Sequence, residues 1–314
     1  MTQGAQTLIL LGPQRPEVNL AHAVEMANLP PGPVALISAG WQEAENDIDH
    51  VREAAGRSLE CLSLYQRTDE VFAASASLAD DYRERQDRLM ELQRLYRLRL
   101  RPLARAARQI FDADGDADLL AAEQRHAVSQ LRALDRHHLH RTESIHRQFD
   151  ERYNASTTGL LREHSNQIQV ILQRCSGVII TGGSVTVLLN RMRMFGVDRM
   201  LGETPVIAWS AGAMVLAERV VLFHDRLPQG RRDAEILGAG LGIVQGYVFL
   251  PDTARRLREK DRLRIGLMSR RFAPDTCAAL DSGALLRIDG SAATYADRVR
   301  SLHHDGRFTK LRTA

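Results

Sequence analysis

One short segment, Pro205 to Ala213, sets strong limits on how this chain can fold. Residues 206–208 form an apolar run typical of a parallel strand covered on both faces, and residues 211–214 begin a helical stretch. Ser210 stands at the junction, so its hydroxyl is predicted to project from the sheet end beside free helix N–H groups. The pattern is A-x-S-x-G, with Ala208 as its first small residue. Two interpretations stay open: a nucleophile on a sharp turn, or a serine that only caps the helix.

Two further segments that combine a strand with glycines accompany this turn. Residues 177–184 read G-V-I-I-T-G-G-S, and residues 240–244 read G-L-G-I-V and lead into a strand pattern at 248–252. With W-S-A-G-A at 209–213, these segments resemble the peptidase E and cyanophycinase group of serine peptidases. The corresponding family motifs are I-x-G-G-N, W-S-A-G-A and G-L-G-L-(L/V)-P. The resemblance extends over residues 5–65 and 175–300 and implies a fold related to the class I glutamine amidotransferases.

The resemblance implies a role for each residue at a matching position. Ser210 matches the nucleophile. The backbone N–H groups of Gly183 and Ala211 match the oxyanion hole, which needs donors aimed at the developing negative charge. Asp225 stands 15 positions after the serine, where peptidase E-like members carry their acid.

The chain departs from the family pattern at the base. The family histidine occurs in contexts such as P-H-F or D-Q-H-F, whereas Pro251 is followed here by Asp252. A serine hydroxyl needs a neighbouring base, and a carboxylate of ordinary pKa is a weaker base than imidazole. Neighbouring strand residues point to opposite faces, so His224 is expected to point away if Asp225 faces the site. Asp225 and Asp252 are therefore the predicted acid–base residues of an impaired hydrolase.

The beginning of the chain alternates strand and helix patterns. Apolar runs occur at residues 7–11, 34–39 and 59–64, with helical stretches between them. Such alternation implies parallel strands joined by right-handed crossovers. The predicted fold is therefore α/β, a flavodoxin-like parallel sheet with helices on both faces. Ligands bind at the carboxyl ends of strands in such sheets, so Gly12, Gly40, Trp41 and Gly183 are expected around Ser210.

Residues 68–174 interrupt this pattern with a stretch rich in Leu, Ala, Arg, Glu and Gln, a composition typical of helix. Apolar positions recur at helical spacing in two runs, separated by a polar turn at 112–116. We predict an α/β domain over 1–67 and 175–314 and a helical hairpin insertion over 68–174, with residues 76–150 protruding. Apolar residues off the main stripes predict a homodimer through the hairpin. These residues are Leu95, Leu98, Leu100 and Leu139.

Composition limits the other classes of function. The chain has 314 residues and a net charge of +3, without an apolar run of the ~20 residues that cross a bilayer and without a signal-peptide pattern. Three distant cysteines and one histidine pair, His137 and His140, match no metal or disulfide pattern. We expect a cytoplasmic protein without cofactor, metal or membrane contact. The arginines between 94 and 108 have little aromatic interleaving, which does not favour nucleic acid as a partner.

Two functions remain open at this point. The first is a serine hydrolase that cleaves a peptide or isopeptide-like amide. The family resemblance implies an acidic peptide substrate, and Arg15, Arg191 and Arg193 are candidates to bind it by their positions. The second is a non-catalytic descendant whose pocket binds a ligand and whose hairpin mediates assembly. A glutamine amidotransferase would need a cysteine where Ser210 stands.

Overall fold

The computed structural model describes residues 6–153, 159–225 and 233–313. Its strands are β1 (Thr7–Leu11), β2 (Val34–Ile37), β3 (Leu59–Cys61), β4 (Val178–Ile180), β5 (Val206–Trp209), β6 (Arg219–Leu222), β7 (Glu235–Ala239), β8 (Tyr247–Pro251), β9 (Thr276–Leu280), β10 (Leu285–Asp289), β11 (Ala292–Asp297), β12 (Arg300–Leu302) and β13 (Phe308–Lys310). Its α-helices are α1 (Leu20–Ala27), α2 (Asp49–Ala55), α3 (Leu64–Ala74), α4 (Ala76–Phe111), α5 (Ala117–Arg152), α6 (Gly159–Arg174), α7 (Val185–Met194), α8 (Val197–Met200), α9 (Ala211–Leu216), α10 (Thr253–Arg256) and α11 (Arg262–Phe272), and a 3-10 helix spans Ala39–Ala44.

The centre of the molecule is a seven-stranded sheet in the order β11-β10-β1-β5-β4-β2-β3. The strands from β1 to β3 in this order run parallel, and β10 and β11 at one edge run antiparallel to their neighbours. Helices α1 and α2 pack on one face of the sheet, and α7 and α9 pack on the other. This arrangement confirms the predicted flavodoxin-like sheet with helices on both faces.

Strand β5 lies in the middle of the sheet, where both faces are covered. All four of its side chains are apolar and buried. Ile207 is in register with Ile9 of β1 and Ile179 of β4, and these three side chains pack with α1 and α2. Val206 and Ala208 face the opposite layer. A strand buried on both faces needs such a continuous apolar run, so the pattern that predicted β5 also explains its central position.

Helices α4 and α5 form the predicted hairpin. Each has 36 residues, which corresponds to ~54 Å of helix. The two helices run antiparallel, as two contacts between them show: Arg88 contacts Gln148, and Tyr96, further along α4, contacts Asp135, which is earlier in α5. The polar turn between them ends at Asp116, whose carboxylate caps α5 by accepting hydrogen bonds from two backbone N–H groups at 3.0 Å. No helix in the described ranges is both long and apolar enough to cross a membrane.

The hairpin does not protrude, so this prediction was wrong. Leu100 and Ala104 of α4 and Leu131 of α5 are buried in one core with Phe223 and Ile236 of the body. The apolar stripes of the two helices therefore also cover the β6–β7 ribbon, the β13-β12-β9-β8 sheet and α11. Helical periodicity indicates which side of a helix is buried, but it does not indicate which element covers that side.

A buried ion pair attaches the hairpin to the body. Arg271 of α11 donates to the two carboxylate oxygens of Asp135 of α5 at 2.6 and 2.7 Å. It also donates to the Ala234 carbonyl oxygen at 2.7 Å and to the Tyr96 hydroxyl at 2.6 Å. Burial raises the pKa of Tyr96, so the phenol keeps its proton and donates it to Asp135 at 2.8 Å. Both buried charges therefore have several partners, as burial of an ion pair requires.

His138 of α5 should make the stability of this fold sensitive to acid. Its side chain is 1% exposed, stacks on Tyr96 with ring centroids 4.1 Å apart, and lies 3.0 Å through Nε2 from Oε1 of Gln93. Burial lowers the pKa of His138 to about 4 from the ordinary value of 6.5. Because the unfolded chain binds this proton at higher pH, the contribution of neutral His138 is complete above pH 6.5 and is lost as the pH falls towards 4.

We therefore expect the free energy of unfolding in urea to fall by ~3 kcal/mol between pH 6.5 and pH 4 because of this residue. The His138→Gln variant should be less stable at neutral pH but should lose less stability on acidification. An identical pH dependence in the two proteins would contradict the assignment.

Candidate active site

A cavity of about 860 Å³ opens at the carboxyl ends of the central strands. Arg15 after β1, Trp41 after β2, Gly183 after β4 and Ser210 after β5 all line it. This position follows from the topology, because parallel strands deliver the loops that follow them to one edge of the sheet. The sequence therefore correctly placed Trp41 and Gly183 beside Ser210.

Gly12 and Gly40, predicted at the same edge, are not among the lining residues of the cavity. A Cβ atom at Gly12 would lie 1.8 Å from the Asp281 carbonyl oxygen. A Cβ atom at Gly40 would lie 2.6 Å from the Gly182 carbonyl oxygen. The two glycines instead allow backbone segments to approach closely beneath the site.

Ser210 has a backbone conformation that residues other than glycine rarely adopt, with φ 50° and ψ −113°. It lies between the end of β5 and the start of α9, and its amide donates to the Leu11 carbonyl oxygen at 3.1 Å. Although Ser210 occupies the N-cap position, its side chain makes no capping hydrogen bond. The turn also depends on Gly212, where a Cβ atom would lie 2.5 Å from the Ile180 carbonyl oxygen. These observations favour the nucleophile interpretation over the capping one.

The backbone donors predicted for the oxyanion hole flank this serine. A Cβ atom at Gly182 would lie 3.2 Å from Cβ of Ser210, so the loop after β4 abuts the serine. The next residue, Gly183, has φ +108° and passes so close to Gly40 that only glycine fits. Among the described residues, none accepts a hydrogen bond from the N–H groups of Gly183 or Ala211. Both residues line the cavity, and their role as oxyanion donors stays a prediction.

Asp225, the predicted acid, is buried outside the cavity. Its carboxylate forms an ion pair with the guanidinium group of Arg264 and accepts a hydrogen bond from the Arg258 amide at 3.2 Å. Its own amide donates to the Arg256 carbonyl oxygen at 2.7 Å. Asp225 is not among the lining residues, whereas its neighbour His224 is. The structure therefore does not bring Asp225 and Ser210 together.

His224 and His50 are cavity residues that the sequence reasoning missed. The alternation rule correctly separated His224 from Asp225, but the wrong residue of the pair was chosen to face the site. His50, at the start of α2, stacks on Trp41 with ring centroids 5.2 Å apart. No sequence signal marked His50, because it belongs to no motif and its exposed position on α2 is ordinary for histidine.

Asp252 does line the cavity with Ser210, as expected for a residue at the family histidine position. It follows β8 in a left-handed conformation with φ 62°, and its amide donates to the Leu280 carbonyl oxygen at 3.0 Å. Its carboxylate lies 3.8 Å from the guanidinium group of Arg255, and its side chain is 22% exposed. Its catalytic role stays a prediction.

Comparison with known proteins identifies the family. The model of peptidase family S51 matches residues 132–296, just over half of the chain, including the Ser210 turn. The chain belongs to peptidase family S51. This assignment confirms the resemblance to the peptidase E and cyanophycinase group. By its family, the protein is a peptidase-like hydrolase.

Two solved structures align with this chain over almost its whole length. The crystal structure of a peptidase from an acI-B1 Actinobacterium has a TM-score of 0.50 at 11% identity, and the similarity covers 99% of this chain and 97% of that one. The crystal structure of a "Putative Peptidase E Protein" from Listeria monocytogenes EGD-e has a TM-score of 0.42 at 11% identity, covering 98% of this chain and 100% of that one. A comparison with curated proteins gave no significant match.

Of the three arginines predicted to bind substrate in this S51 protein, only Arg15 lines the cavity. Arg191 is buried, donates to the Tyr82 hydroxyl at 2.8 Å, and lies over the ring of Tyr65 at 5.3 Å. Arg193 donates to the Ala239 carbonyl oxygen at 2.8 Å. The last turn of α7 therefore faces α3, α4 and the end of β7, and the prediction for Arg191 and Arg193 is corrected.

The hairpin contributes directly to the cavity of the S51 chain, which the sequence did not indicate. Arg97 of α4 lines the cavity and donates from Nε to the carboxylate of Glu235 at 2.6 Å. Asp233 lines the same side and pairs with Arg108. Arg97, Asp233 and Glu235 together form an ionic wall of the cavity, opposite α1 and α2. Among the described residues, no group of three or more His, Cys, Asp or Glu side chains is placed to hold a metal ion.

Proposed function

We propose that this protein is a serine hydrolase that cleaves a peptide or isopeptide-like amide slowly. The observation that carries the proposal is the backbone of Ser210, with φ 50° and ψ −113°. Such a conformation costs about 1–3 kcal/mol and persists where the surrounding structure enforces it, most often at functional sites. Ser210 makes no cap, so its geometry is best explained by attack on a carbonyl group in the cavity.

The rest of the proposed machinery is incomplete. The N–H groups of Gly183 and Ala211 would stabilise the oxyanion, as in other acyl-transfer sites. Among the described residues, the Ser210 side chain makes no capping hydrogen bond, and no base is hydrogen-bonded to its hydroxyl. Asp252 shares the cavity but is a carboxylate, and Asp225 is held by Arg264. A serine without an oriented base reacts slowly, so hydrolysis should be impaired.

The charge distribution of the cavity supports an acidic substrate. Of its three acidic residues in the described ranges, Asp233 and Glu235 are paired with arginines, and Asp252 lies 3.8 Å from the guanidinium group of Arg255. In contrast, Arg15 and Arg256 line the cavity without an ion pair to any described carboxylate. Two unpaired guanidinium groups favour a carboxylate on the substrate.

A fluorophosphonate probe tests the nucleophile directly. We expect the wild-type protein to be labelled covalently at Ser210, slowly because the hydroxyl lacks an oriented base, and the Ser210→Ala variant to show no labelling, because it lacks the hydroxyl that forms the adduct. The Ser282→Ala variant, which changes a serine in the turn between β9 and β10, should be labelled like the wild type. Intact-mass measurement and peptide mapping would locate the adduct. A folded wild-type protein that stays unlabelled at high probe concentration would overturn the hydrolase proposal.

The second candidate is a non-catalytic descendant whose cavity binds a ligand. The sequestration of Asp225 by Arg264 favours it, because an acid that is buried in another ion pair cannot orient a catalytic base. Absent labelling together with measurable binding of an acidic peptide would support this candidate.

The hairpin is proposed to mediate a homodimer. Met90, Leu95 and Leu98 of α4 are 63%, 44% and 55% exposed, and lie on the outer side of this helix. A variant with Leu95→Glu and Leu98→Glu should shift the protein from dimer to monomer in sedimentation analysis, because charges would be buried at the contact. Leu119→Glu, at a more exposed position (70%) beside the turn of the hairpin, should leave the dimer intact. A monomeric wild-type protein would contradict the proposal.

A further inference from the structure

The two sides of the cavity differ in chemistry. Arg97, Asp233 and Glu235 form the ionic wall on the side of the hairpin. The opposite side is formed by α1, α2, the segments that precede them and the end of β5, and is mainly apolar and aromatic. We call this side the aromatic lobe; it consists of Val18, Trp41, His50, Val51, Ala54 and Trp209.

The aromatic lobe rests on a packed core. Val51 and Trp209 are buried members of the hydrophobic cluster between the central sheet and helices α1 and α2, and Trp41 and Ala54 pack against the same cluster. The Trp41 and His50 rings stack at an interplanar angle of 30°. These contacts hold the walls of the lobe in place before any ligand arrives, which lowers the entropy cost of binding.

The mouth of the lobe exposes apolar surface. Val18 is 57% exposed, one of the largest exposures of any big apolar side chain in the described residues. Among the described residues that line this side of the cavity, Arg15 at the rim is the one with a permanent charge. An apolar surface with aromatic walls favours a flat apolar group, because such a group gains by leaving water and stacks on the rings.

We propose that the aromatic lobe binds an aromatic side chain of the substrate, next to the bond that Ser210 attacks. This inference rests on the proposed function, since it places the lobe beside the proposed nucleophile. Ser210 lies at the end of the central strand, between the lobe on one face of the sheet and the ionic wall on the other. The substrate class is therefore an amide that joins an aromatic residue to a charged one.

The chain provides its own reporter for this site. It contains two tryptophans, Trp41 and Trp209, and both line the cavity. Intrinsic tryptophan fluorescence therefore reports on cavity occupancy without any label and without turnover. We suggest titration of the Ser210→Ala protein with N-acetyl-phenylalaninamide, N-acetyl-alaninamide and N-acetyl-aspartamide. The phenylalanine compound should bind at least about tenfold more tightly than the other two, because burial of a phenyl group is favourable.

Two variants locate the binding to the lobe. Ala54→Phe should fill the lobe and weaken binding of the phenylalanine compound at least about tenfold. Val18→Ser, at an exposed position where folding should not suffer, should weaken it about threefold. Ala21→Phe is the matched control, because Ala21 is exposed on α1 outside the cavity and its replacement should leave affinity unchanged.

The outcomes separate this inference from the proposed function. Equal affinity for the three compounds, or an affinity that neither Val18→Ser nor Ala54→Phe changes, would overturn the inference even if Ser210 is labelled by the fluorophosphonate. If the phenylalanine compound binds selectively and both variants weaken its binding, the proposed role of the aromatic lobe is supported even if Ser210 is never labelled. In that case only the hydrolase proposal would fail.

Discussion

Replacing Asp252 with histidine should raise the rate of amide hydrolysis by about 10²–10⁴, the usual contribution of a general base. Asp252 lines the cavity with Ser210, and its φ of 62° is a conformation that histidine tolerates better than most residues. An imidazole at this position would supply the proton acceptor that the chain lacks at the family position. The measurement is kcat/KM for an aspartyl anilide, with circular dichroism to confirm folding.

Two controls make this result decisive. The Asp252→His gain must disappear in the double variant that also carries Ser210→Ala, because the base acts only through the serine. Ala254→His tests the other family context, since alignment of D-Q-H-F on Asp252 puts its histidine at residue 254. Ala254 is exposed and outside the cavity lining, so we expect Ala254→His to raise the rate of hydrolysis less than Asp252→His does. An unchanged rate in both folded variants would show that more than the base is missing.

Replacing Arg271 with methionine should lower the free energy of unfolding by about 3–5 kcal/mol, because Asp135 would remain as an unpaired charge in the interior. Both side chains are about 5% exposed, and four hydrogen bonds from Arg271 would be lost together. Urea denaturation measures the change. The loss of unfolding free energy should exceed that for a surface ion pair, because water cannot replace the guanidinium group beside the buried Asp135 carboxylate.

Arg298→Met is the matched control for this prediction. Arg298 also pairs with a carboxylate, that of Glu17 at 2.6 Å, but its side chain is 57% exposed. The loss there should be within about 0–1 kcal/mol. Adding Asp135→Leu to Arg271→Met should recover part of the stability, because it removes the orphaned charge. Equal losses for Arg271→Met and Arg298→Met would contradict the account of the buried pair.

The sequence predicted the features of this protein that depend on short-range rules. The buried run at 206–208, the serine after it and the glycine two positions later were enough to predict a strand, a sharp turn and a helix. The parallel sheet followed from alternating elements, and the cavity followed from where parallel strands end. In each case the physical cause lies within a few residues of the pattern.

The errors concern contacts between distant parts of the chain. Alternation along the backbone separated His224 from Asp225 but gave no information about which of the two faces the cavity. Asp225 faces away from it and pairs with Arg264, on a helix almost forty residues later in the chain. Arg191 was assigned to substrate, yet its partner Tyr82 is 109 residues earlier. The apolar stripes of α4 and α5 predicted burial correctly but could not show that the body supplies the cover.

Glu235 gives the hairpin a role beyond packing. Its carboxylate accepts hydrogen bonds from Arg97 at 2.6 Å and from Gln93 at 3.2 Å, and Gln93 in turn contacts His138 in the hairpin interior. Side chains on both long helices are therefore linked to the wall of the cavity. Because Arg97 and Glu235 both join the hairpin to the body and line the cavity, a ligand that contacts this wall should slow amide exchange along α4. The insertion is thus not an exchangeable appendage: shortening it would change the ligand affinity of the protein as well as its size.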